Sequence, residues 1–232
     1  MGQANRRPTC AADSFRQQMR DFLLSRPGVF RSVNVANHET IYASGDQDDT
    51  VYCIERGQVK VEVLSPQGKA CIVSLYGRGD VFGELCVSGL LDRMETAVAM
   101  EEADLKLIPR SQFLMCLSRE SLLEGFVKYL ATRLADQQQV ILSLTTRECE
   151  YRLATTLLKL VQRLGRIDDH GVRIEPRISH EELSRMVGTT RPRISVFMHR
   201  FRELGLVETS VDHFLIVKKN KLNDYLAEAV YA

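Results

Sequence analysis

SHEELSRMVGTTRPRISVFMHRFREL, residues 179–204, is the stretch that decides the fold. Ser179 followed by Glu182 makes a capping box, the reciprocal bonding that opens a helix. Leu183, Met186 and Val187 give that helix one inner face. Gly188 ends it, because glycine takes the left-handed turn at no steric cost. Thr189 or Thr190 then caps a second helix, and Pro192 falls in its first turn, where the missing N–H costs nothing. Ile194, Phe197, Met198, Phe201 and Leu204 form the expected buried face. Two helices joined by a tight glycine turn make a helix-turn-helix.

Charge indicates the use of this unit. From Leu183 to Arg202 there are five arginines (185, 191, 193, 200 and 202) and no Asp or Glu. The whole chain has 31 Lys+Arg against 30 Asp+Glu, a net charge of +1. The basic stretch is therefore a local patch, the footprint of a nucleic-acid site. Thr189, Thr190, Arg191, Arg193 and Ser195 lie at the N-terminal end of the second helix, the end that enters the major groove. An arginine there bonds bidentately to guanine O6 and N7. Arg200 and Arg202 are further along and suit phosphate or solvent. The alternative is a solvated arginine face on an ordinary helix pair.

Outward from this unit, Leu206–Val217, with Asp212-His213 at a turn, reads as a two-stranded wing, and Leu222–Val230 as a last short helix. Upstream, Leu153, Leu157, Leu160, Val161 and Leu164 give a helix a wide apolar face. Residues 165–176 read as a loop rich in Asp, His and Gly. Before that, Ser121 to Leu144 has no Pro, and Val127, Leu130, Leu134, Ile141 and Leu144 follow a heptad seam with Gln137 as its polar member. The flanking Lys128, Arg133, Asp136, Gln138 and Gln139 keep the stripe narrow. That favours a two-helix coiled coil, hence a homodimer, over a core helix.

From about His38 to Pro109 the texture is β. Glu39–Ala43, Thr50–Glu55, Gln58–Leu64 and Ala70–Leu75 are short strand-like runs separated by Gly-, Pro- and Asp-containing turns. Strands this short, this often interrupted, suggest an antiparallel roll or barrel. Residues 14–24 read as a helix ahead of it.

Composition narrows the function classes. The 232 residues are 44% hydrophobic and 26% charged, a globular chain long enough for two domains. No apolar run approaches the ~20 residues of a membrane span. Met1 to Cys10 shows no secretory signal, so a cytoplasmic protein is expected. The six cysteines (10, 53, 71, 86, 116 and 149) form no C-x-x-C pair and read as reduced thiols. The five histidines (38, 170, 180, 199 and 213) lack metal-ligand spacing. No nucleophile motif, Walker loop or paired carboxylates point to an enzyme.

The β-rich front, seam helix and winged helix-turn-helix together resemble the cyclic-AMP receptor protein / fumarate-nitrate regulator (Crp/Fnr) family of bacterial transcription factors. The resemblance runs from about residue 15 to 220. It is carried by Gly45-Asp46, Gly57, Gly79-Asp80-Val81-Phe82-Gly83-Glu84-Leu85, Arg93 and Val187-Gly188-Thr189-Thr190-Arg191. It implies an α+β chain: an effector-sensing antiparallel β-roll at 15–120, a dimerisation helix and hinge at 121–146, and a winged helix-turn-helix DNA-binding domain at 147–232. It implies a homodimer on double-stranded DNA and, by family alone, contact with RNA polymerase. In the first motif, Gly79 and Gly83 permit tight turns, Glu84 matches the family's ribose acceptor, and Arg93 its phosphate partner. A structural Glu84–Arg93 ion pair is the alternative for these two.

The chain departs from the family at several positions. Met94 stands where the cyclic-AMP receptor has serine, and methionine cannot donate to a phosphate. Gln137 and Gln138 stand where the family sets Thr and Ser against adenine. Pro192 and Val196 replace an acidic residue and an arginine in the reading helix, which points away from the standard operator. The effector site expected is Gly83, Glu84, Leu85, Cys86, Arg93, Met94, Gln137 and Gln138. Its ligand is anionic and nucleotide-like, a cyclic nucleotide by family, with the departures counting against cyclic AMP itself. An effector-independent or thiol-responsive regulator with a vestigial pocket is the alternative, through Cys86, Cys116 or Cys149. An iron–sulfur cluster needs more N-terminal cysteines than Cys10, and haem needs an axial ligand that His38 does not offer, so neither is expected, nor is a metal.

Overall fold

The helix expected at residues 14–24 forms from Ala11 to Leu24 and buries Phe15, Met19, Phe22 and Leu23. The architecture comes from a computed structural model, which describes residues 11–90 and 92–231. Cys10 lies outside the described residues. The helix is α1 (Ala11–Leu24). It is followed by β1 (Arg31–Val35), β2 (Thr40–Tyr42), β3 (Thr50–Arg56), β4 (Val59–Leu64), β5 (Ala70–Tyr76) and β6 (Val81–Phe82). A short 3-10 helix at Glu84–Ser88 precedes β7 (Thr96–Ala99) and β8 (Ala103–Pro109).

The strands form two four-stranded sheets, ordered β1-β8-β3-β6 and β2-β7-β4-β5. β8 pairs antiparallel with both β1 and β3, from Val33 opposite Leu105 to Tyr52 opposite Leu107. β1, β6, β7 and β8 add to the strands expected from the sequence. Tyr42, Tyr52, Phe82 and Tyr76 pack ring against ring, with centroids 5.1–6.2 Å apart, and join strands of the two sheets. A second aromatic group, Phe15, Phe113, Phe126 and Tyr129, seats α1 against the helices that follow β8.

Those helices are α2 (Arg110–Arg119) and α3 (Leu123–Thr146). Phe126 and Tyr129 bury the first turns of α3, whereas the expected seam faces outward. Leu134 and Ile141 are each 62% exposed, and Val127, Leu130 and Leu144 are exposed with them.

The remainder is α4 (Cys149–Leu164), β9 (Gly165–Asp168), β10 (Gly171–Ile174), α5 (His180–Val187), α6 (Arg191–Glu203), β11 (Val207–Thr209), β12 (Leu215–Val217) and α7 (Lys219–Tyr231). Every expected inward residue of α4 is buried. The segment read as a loop at 165–176 is instead a hairpin. β10 pairs with β12, Val172 opposite Val217 and Ile174 opposite Leu215, so the wing belongs to a sheet ordered β11-β12-β10-β9. The strands β9 and β10 have four residues each, too short for periodicity to reveal, and the outer partner of β10 is the distant β12. The described chain divides into two compact units, residues 11–61 with 75–140, and 62–74 with 141–231.

Candidate DNA interface and effector site

The capping box forms as expected: Ser179 accepts from the Glu182 N–H at 3.1 Å, and the Glu182 carboxylate accepts from the Ser179 N–H at 3.0 Å. Gly188 closes α5 at φ 70°, in the left-handed region. The orphan carbonyls of this turn are met from α4, where Arg152 donates to Val187 O at 3.0 Å and Gly188 O at 3.3 Å. A cation at a helix C-terminus is favourable on dipole grounds as well. Leu183, Val187, Ile194, Met198 and Phe201 are buried, while Phe197 and Met186 are half-buried. Leu204, expected inside, is exposed, because α6 ends one residue before it.

Arg191 and Arg193 stand exposed on the first turn of α6, as the sequence suggests. Thr190 is exposed at the N-cap position without a side-chain cap bond. Two candidates, Thr189 and Ser195, differ from expectation. Thr189 is buried, its N–H bonded to Ser184 O at 3.1 Å, so it supports the turn rather than facing outward. Ser195 is engaged with His180 Nδ1 at 2.9 Å and with Arg191 O at 3.2 Å. Arg200 donates to Glu150 at 3.0 Å, and Glu150 also accepts the Tyr225 hydroxyl at 2.6 Å. Arg200 thus ties α6 to α4 and α7. His180 has no metal-ligand spacing in the sequence, which does not signal its contact with α6. Burial, then Arg202 and Arg191, hold its imidazole below the ordinary value, so it is neutral beside the two arginines.

The second site lies around Arg93. Its guanidinium is almost fully buried. Nη1 donates to Gly83 O at 2.7 Å, and Nη2 donates to Asp48 Oδ2 at 2.6 Å and to Thr50 O. The same group lies 4.2 Å above the Tyr42 ring centroid, a cation–π contact. Gly83 has φ 76°, and a Cβ there would stand 2.9 Å from Arg93 Nη1, so only glycine lets the arginine pass. Asp48 also accepts from the Thr50 N–H at 2.9 Å and the Tyr52 hydroxyl at 2.8 Å. Burial pushes its carboxyl up, but the bonds from Thr50, Arg93 and Tyr52 outweigh this and hold it below the ordinary value.

Glu84 is buried and pairs with Arg133 of α3 at 2.6 Å, not with Arg93. Each of the two motif residues thus has a partner of its own, and the alternative Glu84–Arg93 pair is absent. The second carboxylate oxygen of Glu84 and Nε of Arg93 are buried without a hydrogen-bond partner. Arg133 also lies 4.6 Å over the Tyr76 ring. Glu95 accepts the Tyr42 hydroxyl at 3.0 Å, and burial raises its carboxyl above the ordinary value.

Leu85 and Met94 are exposed, Gln137 is half-buried and Gln138 is exposed. Asp48, Tyr42, Tyr52, Glu95 and Arg133 belong to the site and were missed. Arg133 was within reach, since it lies one helical turn before Gln137. Asp48 gave no signal beyond its turn.

Cys86 is buried, and burial lifts its thiol, as it lifts that of Cys53 to about 12. Neither is a thiolate at neutral pH. Among the described residues no group of three or more His, Cys, Asp or Glu could hold a metal ion, and no helix is long and apolar enough to cross a membrane.

Comparison with known proteins matches both halves. Residues 32–120 match the cyclic nucleotide-binding domain, and residues 151–225 the Crp-like helix-turn-helix domain. Transcriptional regulator LdrP of Thermus thermophilus is 32% identical over 177 residues, covering 75% of this chain and 86% of the relative. A CRP-like cAMP-activated global transcriptional regulator of Mycobacterium tuberculosis is 24% identical, covering 87% and 97%. Among solved structures, TTHB099, a CRP-family regulator of Thermus thermophilus, superposes with a TM-score of 0.72 at 27% identity, covering 84% of this chain and 96% of that one. A cyclic nucleotide-binding-like roll, a long helix and a Crp-like helix-turn-helix, joined in one chain with full-length relatives of the same kind, make this protein a member of the CRP/FNR family of transcription regulators.

Proposed function

We propose that the chain is a cytoplasmic homodimer that reads a specific DNA sequence with α6 and is controlled by a small effector through its β-roll. It acts as a regulator, not as an enzyme. The observation that carries the reading is the pair Arg191 and Arg193, exposed on the first turn of α6 within a stretch free of acidic residues. The exposed seam of α3 supports the dimer, since a second copy would cover Val127, Leu130, Leu134, Ile141 and Leu144. Two such copies would address half-sites about one helical turn, ~34 Å, apart. RNA polymerase is the further partner that family membership suggests.

The test is selection of duplexes from a random DNA pool by the purified protein. A two-fold symmetric sequence with half-sites about 10 base pairs apart is expected, with affinity falling as salt rises. A pool that stays random would overturn the reading.

A second reading, regulation without a nucleotide effector, is favoured by one observation. Arg93 and Glu84 both have protein partners already. Thiol control through Cys86 gains no support from its burial.

A further inference from the structure

Asp48 and Arg93 lie 45 positions apart, and a backbone zipper brings them together. The Arg93 N–H donates to Asp46 O at 2.9 Å, the Gly45 N–H donates to Arg93 O at 2.8 Å, and Gln47 bridges to Asp92. The turn 45–48 is thereby laid along residues 92–93. Asp48 is the one anionic acceptor bonded to this guanidinium: it shares Nη2 with Thr50 O, while Gly83 O takes Nη1 and the Tyr42 ring covers one face.

We propose that Asp48 is a built-in counter-anion that takes the place of a phosphodiester on Arg93 and closes the roll to cyclic nucleotides. The inference rests on reading the roll as the sensing half of the protein. A carboxylate and a cyclic phosphodiester carry the same single charge and the same kind of acceptor oxygens, so they compete for the same donors. The competitor here is tethered. An intramolecular group acts at an effective concentration of about millimolar or more, so a free nucleotide must exceed that level to displace it. Displacement has a further cost: Asp48, still bonded to the Thr50 N–H and the Tyr52 hydroxyl, would stay in place as a like charge beside the incoming anion. Asp48 and Glu84 already pair with Arg93 and Arg133, so neither arginine offers an incoming anion an uncompensated charge.

Isothermal titration of cyclic AMP and cyclic GMP into the full chain tests this, beside Asp48→Ala, Asp48→Asn and the double variant Asp48→Ala/Arg93→Ala. Thermal unfolding verifies that each variant is folded. The expected result is no measurable binding to the wild type, binding by Asp48→Ala tightened about tenfold or more, and its loss again in the double variant. Asp48→Asn, which removes the charge but keeps the turn, should also gain. Wild type binding as tightly as Asp48→Ala overturns the proposal, as does a folded Asp48→Ala or Asp48→Asn that gains nothing. The same preparations are measured against the selected DNA duplex. Wild type that fails to bind any duplex sinks the DNA-reading function, whatever the nucleotide titration gives.

Discussion

Arg133, midway along α3, donates to Glu84 in the glycine-rich motif at 2.6 Å, although 49 positions separate them. Removing one partner of a buried ion pair leaves the other charge uncompensated, which costs more than the pair itself contributes. Glu84→Gln should therefore lower unfolding free energy by on the order of 3 kcal/mol in a urea titration. An unchanged midpoint would mean that the pair does not fasten α3 to the roll.

Arg191→Ala should remove discrimination between the selected duplex and random DNA, at ~1–3 kcal/mol of specific affinity, while weakening random binding far less. Fluorescence anisotropy against both duplexes reads this directly. Specificity that survives would move the reading role to Arg193 or elsewhere on α6.

Leu134→Glu should place a charge in the middle of the α3 seam and turn the dimer into a monomer. Sedimentation should show the mass halved, and the two-fold duplex should be bound far more weakly, because each half-site contact becomes independent. A dimer that persists would show that another surface holds the copies together.

Asp48 gives an acid-side prediction. Its folded carboxyl is held below its ordinary value of 3.8, so its contribution to stability is full above that value and is lost as pH falls through the lower folded value. Asp48→Asn should flatten the stability profile below about pH 4 and leave the profile's shape near neutrality unchanged. Equal acid sensitivity in both proteins would mean that the Arg93 pair does not depend on the ionised carboxylate.

Burial holds Cys53 and Cys86 protonated at neutral pH, so the native protein should label slowly with iodoacetamide at both. Exposed Cys71 should label first. Mass spectrometry of tryptic peptides separates the sites, and fast native labelling of Cys86 would revive the thiol-responsive alternative.

Local signals were legible in the sequence wherever the chemistry is local. The capping box, Gly188 and Pro192 each act within four residues, so α5, the turn and the start of α6 could be placed. The heptad seam on α3 and the apolar face of α4 repeat within one helix and were equally readable. The β9–β10 hairpin was not, because its strands are four residues each and β10 is held in the sheet by pairing with the distant β12. Among the DNA candidates, Arg191, Arg193 and Arg200 are exposed, whereas Thr189 is buried in the turn and Ser195 is engaged by His180 of α5.

The sequence by itself determined the order of parts, a β-rich front, a long seam helix and a basic helix-turn-helix, because periodicity, caps and charge runs are properties of neighbouring residues. Only the tertiary structure decided who holds the two motif residues. Arg93 meets Asp48 and Glu84 meets Arg133 through strand pairing and helix packing that join positions more than forty residues apart. The physical reason is that an ion pair depends on distance in space, and no spacing along the chain reports it.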